Sequence, residues 1–354
     1  MSLLEDTISS IAGQDEAWRA KAKERLDQLT MPHWALGRLM DLALDLAGMT
    51  RSLQPPVERK AVVVMAGDHG VVVEGVSKFP QEVTPQMVGN FVNGGAGINA
   101  LANQVGARVL VVDMGVAHDI SAMAESGRII DKKVASGTAN MAVGPAMSRE
   151  QAIASLEAGI AVANDMADEI DLFGTGDMGI GNTTPSTAIV AVLTKTPVPE
   201  VTGRGTGLDD EQFNHKISVI EKALAVNRPD PEDGLDVLAK VGGFEIGGIA
   251  GLILGAAAKR KPIMVDGFIS TAGALIACSL APACKDYIIA AHRSVEQGHR
   301  IMHDHLGCEP LLDLNLRLGE GTGGALAMNV VEAARRVLTD VATFEEAAVS
   351  EADK

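Results

Sequence analysis

A doubly wound, mostly parallel α/β sheet of Rossmann-like type, with a small helical domain built from both chain ends, is the fold class predicted here. Two observations predict it. Short apolar or β-branched runs recur with helix-length stretches between them, and each run stops abruptly in small or polar residues. The 354 residues are 47% hydrophobic and 21% charged, which supplies enough apolar chain for one large core and an appendage.

From the start, Leu26, Leu29, Trp34, Leu36, Leu39, Met40, Ala43 and Leu46 recur at helical spacing within Leu3 to Ala47, and Pro32 interrupts them. Gln54-Pro55-Pro56 then punctuates the chain. That division places the main domain at 57–327 and the helical domain at 1–56 plus 328–354. Ala61 to Ala66 runs into Gly67-Asp68-His69-Gly70, and Val109 to Val112 runs into Asp113-Met114-Gly115. Ile170 to Phe173 leads to a glycine loop, Gly174 to Asn182. Ile263-Met264-Val265 leads to Asp266-Gly267, and Tyr287 to Ala290 leads to Ala291-His292-Arg293. Ligands of such sheets bind beyond the carboxyl ends of the strands, so these polar ends converge on one crevice. The segment Ile246 to Ala258 is short of the ~20 residues that span a bilayer, and its Gly and Ala content predicts a buried helix that a neighbour approaches closely. Ala325 to Ala348 returns to helix, with Val330, Val331, Ala334, Val337, Leu338 and Val341 as its stripe, and the acidic end from Phe344 to Lys354 is expected to fray.

Charge and composition exclude several function classes. With 30 basic against 46 acidic residues the net charge is −16, which repels nucleic acid and anionic membrane. Aromatics are 3%, too few for base-stacking platforms. Cys278, Cys284 and Cys308 form no CxxC pair and read as core thiols in a reducing cytoplasm, and Met1 to Asp6 has no basic region leading an apolar one, so no signal peptide is expected.

Chemistry concentrates in a few stretches. In Leu316 to Gly324 a single carboxylate, Glu320, stands among glycines that let backbone approach a ligand closely. The same pattern also reads as a helix N-terminus, with Glu320 as a cap-region acid. Gly174 to Pro185 follows a strand and opens a helix, the arrangement whose backbone N–H groups cradle phosphate. It contains a literal GxGxxG at Gly174, Gly176 and Gly179, but lacks the acid expected about 20 positions on at the end of the next strand, so a dinucleotide site is weakly supported. Arg204 and Lys216 are the cations available to neutralise a phosphate, although Lys216 taken alone reads as a solvated lysine. His303 and His305 would not share a helical face. His69 beside Asp68 reads equally as a hydrogen-bonded pair or a substrate contact. No HExxH or CxxC appears, so no metal is expected, and there is no GxSxG nucleophile elbow.

Set side by side, these stretches resemble the nicotinate-nucleotide:dimethylbenzimidazole phosphoribosyltransferase family. The resemblance runs from about Gly67 to Ala327, through Gly67-Asp68-His69-Gly70, Phe79-Pro80-Gln81-Glu82, Asn93-Gly94-Gly95-Ala96-Gly97, Gly176 to Thr184, Gly203 to Asp210, Gly242-Gly243-Phe244-Glu245, Asp266 to Thr271 and Leu316 to Gly324. It implies a homodimer acting on nicotinate mononucleotide and a benzimidazole-type base, without cofactor, to make α-ribazole 5′-phosphate for the lower ligand of cobalamin. It implies Glu320 as general base, with Gly176, Met178, Gly179, Ile180, Gly181, Asn182, Thr183 and Lys216 around the nucleotide phosphate. Arg204 and the strand-end His292 are placed in the same group, and Ser77, Phe79, Gln86 and Leu318 near the base. The family usually has Gly-Glu-Met-Gly where this chain has Gly176-Asp177-Met178-Gly179, so the carboxylate of Asp177, a second catalytic candidate, sits one methylene further back. An NAD(P)-linked oxidoreductase and a non-catalytic carrier of the base or of ribazole are the alternatives.

Overall fold

The computed structural model describes residues 2–205, 207 and 209–350; Thr206 and Leu208 of the Gly203 to Asp210 block, Met1 and the last four residues of the acidic tail lie outside the described residues. Its sheet contains β1 (Lys60–Gly67), β2 (Ala107–Gly115), β3 (Ile130–Asp131), β4 (Leu172–Met178), β5 (Ile263–Val265) and β6 (Ile288–Ala290). The spatial order is β3-β2-β1-β4-β5-β6, and every neighbouring pair is parallel. The chain reverses its winding direction between β1 and β4, and doubly wound sheets open a ligand crevice at that point.

Alternate residues of β1 show the two covered faces. Val62 touches the turn at Gly321 from one face, whereas Met65 meets Gly248 on the other. The second face carries the helix Phe244–Ala258, buried from Phe244 through Ala257. A Cβ on its Gly251 would lie 2.0 Å from Leu156 O, and one on Gly159 would lie 2.0 Å from Gly248 O, so glycine sets the spacing to the helix Arg149–Met166. The first face carries Thr322–Asp340, which packs on β4, on Gly97–Gln104 and on Arg38–Thr50. Leu29 pairs antiparallel with Thr343, and the Arg25 guanidinium donates to Leu338 O at 2.8 Å, joining the two ends of the chain.

Several elements differ from those expected. β4 begins at Leu172 and continues through Gly174-Thr175-Gly176-Asp177 to Met178, so most of the supposed glycine loop is strand. The C-terminal helix starts at Thr322 and stops at Asp340, and Phe344–Ala347 forms a separate short helix where fraying was expected. β3 was missed because two residues carry no periodicity. Pro32 does lie in the break between Glu16–Leu26 and Arg38–Thr50.

Candidate active site

Glu320 rides on an unusual turn. Gly319, Glu320 and Gly321 all have positive φ, at 81°, 63° and 93°. Left-handed backbone is free for glycine but costs a glutamate about 1 kcal/mol or more, so neighbouring contacts must hold it. The buried carboxylate of Asp266, at the end of β5, accepts from Gly321 N at 3.2 Å and Gly324 N at 2.8 Å. Asp266 therefore caps the helix Thr322–Asp340 from outside, and Glu320 does not take the cap role. His292 Nε2 stands 3.6 Å behind Asp266 Oδ1.

Glycine in β4 makes room for this turn. A Cβ on Gly176 would lie 2.5 Å from Glu320 O, and one on Gly174 would lie 2.9 Å from Met328 Cε. Two of the three glycines of the GxGxxG string thus sit in a strand and serve packing, which removes the dinucleotide reading of that string.

Freed from its own helix, the Glu320 carboxylate reaches across to another. Its Oε2 accepts from Ile98 N at 3.0 Å, at the positive end of Gly97–Gln104. Burial raises the pKa of this carboxyl, the Ile98 N–H pulls it back, and the charge of Asp266 raises it again. Asp177 is driven further, up to about 8, by burial first and then by the charge of Asp266, against a 2.9 Å hydrogen bond from Asn182 Nδ2. Asp177 thus keeps its proton at neutral pH.

Across the cavity is a helix N-terminus with a buried lysine beside it. The turn Gly179 to Asn182, with Gly181 at φ 86°, leads into the helix Thr183–Leu193. Lys216 is 1% exposed, not the solvated lysine its residue type suggests, and its Nζ donates to Thr183 Oγ1 at 2.7 Å. Burial lowers its pKa to about 8, against the pull of Glu296. The Arg204 guanidinium pairs with Asp210 at 2.5 Å and lies over the Phe213 ring.

These groups open into one cavity of about 390 Å³. Its wall includes Glu320, Asp177, Met178, Gly179, Ile180, Gly181, Asn182, Thr183, Arg204, Lys216, Ser77, Phe79 and Leu318. Gly176 lies beneath the Glu320 turn, His292 stands behind Asp266, and Gln86 is exposed on the helix Val83–Val92; none of the three lines the cavity. Val76, Val83, Met87 and Gly205 also line it and were not singled out. Val83 and Met87, one helical turn apart just after the Phe79 block, carried the signal that could have found them. His69 is off the cavity wall and hydrogen-bonds Glu245 at 2.7 Å, both buried, so the open choice falls to an internal pair with Glu245 as the partner. On the helix Gln297–Leu306, His303 is buried and His305 exposed, and no group of His, Cys, Asp or Glu suited to a metal exists among the described residues.

A family model described as "Phosphoribosyltransferase" matches residues 11–349. The chain is 67% identical over 351 residues to the nicotinate-nucleotide–dimethylbenzimidazole phosphoribosyltransferase of Syntrophotalea carbinolica, covering 99% of each chain. It is 58% identical to the protein of that name from Geobacter sulfurreducens over 100% of both. A crystal structure of the enzyme so named from Thermus thermophilus superimposes with a TM-score of 0.90 at 45% identity, covering 96% of this chain and 100% of that one. No described helix is long and apolar enough to cross a membrane. With matches running almost end to end at this level of identity, the chain belongs to the nicotinate-nucleotide–dimethylbenzimidazole phosphoribosyltransferase family.

Proposed function

We propose that this chain transfers the phosphoribosyl group of nicotinate mononucleotide to 5,6-dimethylbenzimidazole or a related base, giving nicotinate and α-ribazole 5′-phosphate for the lower ligand of cobalamin. One observation carries the reading: Glu320 and the cradle of Gly179 to Thr183 with Lys216 face the same cavity. The cradle holds the 5′-phosphate and so fixes the ribose. Phe79 and Leu318, 49% and 61% exposed at the wall, offer apolar surface that a flat aromatic base would cover, beside Ser77.

The chemistry asks little more. Nicotinate mononucleotide carries a pyridinium leaving group, so the C1′–N bond breaks without a general acid. One benzimidazole nitrogen attacks C1′ from the opposite face, inverting β to α, while the other ring nitrogen gives its proton to Glu320. A carboxylate whose pKa is raised by burial is a stronger base than a free one, and such assistance is worth about 10² to 10⁴ in rate. Incubation of the protein with both substrates should release nicotinate and form the α-nucleotide. Absence of both products across a panel of benzimidazoles, purines and phenols would refute the reading.

Asp177, holding its proton at neutral pH, positions Asn182 and the floor of the cavity. Asp177→Asn should therefore keep kcat within about fivefold of wild type at pH 7, because a neutral amide replaces a neutral acid. The two should diverge above pH about 8, where only the wild-type residue ionises. A hundredfold loss at pH 7 would make Asp177 an ionised participant instead.

By the same reading the chain acts as a cytoplasmic homodimer. We take the described residues of 1–56 and 328–354 as its helical unit, joined to the main body at 57–327 by the helix Thr322–Asp340, which begins just after Glu320.

A further inference from the structure

Thr84 has no part in the reaction as written, yet it joins two walls of the cavity from behind. It lies in the first turn of the helix Val83–Val92, between Val83 and Met87, which both line the cavity. Its own side chain is fully buried and off the cavity wall. A threonine hydroxyl in a helix commonly turns back to a carbonyl of the preceding turn. This one accepts from Ile180 N at 3.1 Å, 96 residues away in sequence. Ile180 stands inside the turn Gly179 to Asn182. On one side of it is Gly179, where an added Cβ would fall 2.2 Å from Gly67 O at the end of β1, and on the other is Gly181 with its φ of 86°. Asp177 reaches the same stretch through the Asn182 amide and Lys216 through the Thr183 hydroxyl, side chain to side chain. Thr84 holds it by the backbone.

We propose that Thr84 is a positioning residue for the transfer, fixing the separation between the apolar wall that receives the base and the turn that receives the 5′-phosphate. The proposal rests on the reading of those two surfaces given above. In that reading the phosphate anchors the ribose, and C1′ must lie in line with a nitrogen of the base held against the apolar wall. Nothing covalent joins the two substrates before they react, so the protein sets the gap between them. Glycine on both sides gives the Ile180 peptide room to rotate, and the bond to its N–H fixes its orientation. Without that acceptor a buried N–H is left unpaired, and the turn must shift to find another partner. A misplacement of about 1 Å between reacting atoms costs up to ~10² in rate. The nucleotide moves with the turn that binds it, so its affinity survives a shift that spoils the alignment.

The test sets steady-state release of nicotinate, from nicotinate mononucleotide and dimethylbenzimidazole, beside calorimetric binding of the nucleotide alone. Thr84→Val keeps the shape and removes the acceptor, so kcat should fall at least about tenfold while the Kd for the nucleotide stays within about threefold of wild type. Thr84→Ser keeps the hydroxyl and should hold kcat within about threefold of wild type. Thermal melts establish that each variant is folded. If the valine variant is not, Thr84→Ala replaces it under the same expectation. A serine variant that falls as far as the one lacking the hydroxyl assigns the effect to packing of the methyl and overturns the proposal. So does a folded valine or alanine variant with wild-type kcat, or one whose whole loss lies in nucleotide binding. Each of these outcomes leaves the phosphate site standing, whereas wild type that neither binds the nucleotide nor releases nicotinate overturns both.

Discussion

Glutamine in place of Glu320 should lower kcat by at least about a hundredfold while nicotinate mononucleotide binds as before. The side chain keeps its length and an oxygen to accept the Ile98 N–H, and Asp266 still holds the left-handed turn through Gly321 N and Gly324 N. The basic carboxylate is what disappears. In the wild type, turnover should fall as pH drops through the raised pKa of Glu320, and the residual rate of the variant should show no such limb. Near-normal kcat in a folded variant, or a loss residing wholly in KM, would remove Glu320 from the role of base. Glu320→Asp is a useful companion: it retains the acid but draws it back by one methylene, so it should recover part of the rate and keep the acid limb.

How far these parts could be read beforehand depended on whether a residue answers to its neighbours in sequence or in space. β1, β5 and the helix Phe244–Ala258 were legible because continuous apolar runs demand burial wherever they fall. β4 was legible only as far as Phe173, since Gly174 and Gly176 read as loop by local propensity. Their reason is tertiary: the backbone of the Glu320 turn passes where side chains would stand. Glu320 stood out in sequence for its glycines, but the part of Asp266 as outside cap joins residues 55 apart in sequence and has no local signature. His69 was visible beside Asp68, whereas its actual partner, Glu245, is 176 residues away. Lys216 illustrates the same limit, because burial of a lysine goes against its residue type and becomes intelligible only beside Thr183.

That burial makes Lys216 the subject of a second large effect. Lys216→Met should raise KM for nicotinate mononucleotide by roughly a hundredfold, with a much smaller change in kcat, because a charge-assisted contact to a phosphate present in both ground and transition state is lost. Stability should move the other way. The folded protein holds this ammonium at about 8 against an ordinary 10.5, so between those values the unfolded chain binds more protons and stability rises with pH. Below about 8 the full cost of the buried charge is present, and methionine, similar in length and apolar, removes it. At pH 7 the variant should therefore melt no lower than wild type while binding its nucleotide poorly. A variant that melts early would instead make Lys216 a structural residue, and one that binds normally would move the phosphate elsewhere. The wild type carries an independent check, since its KM should climb as pH passes about 8 and the ammonium is lost, a limb absent from the methionine variant.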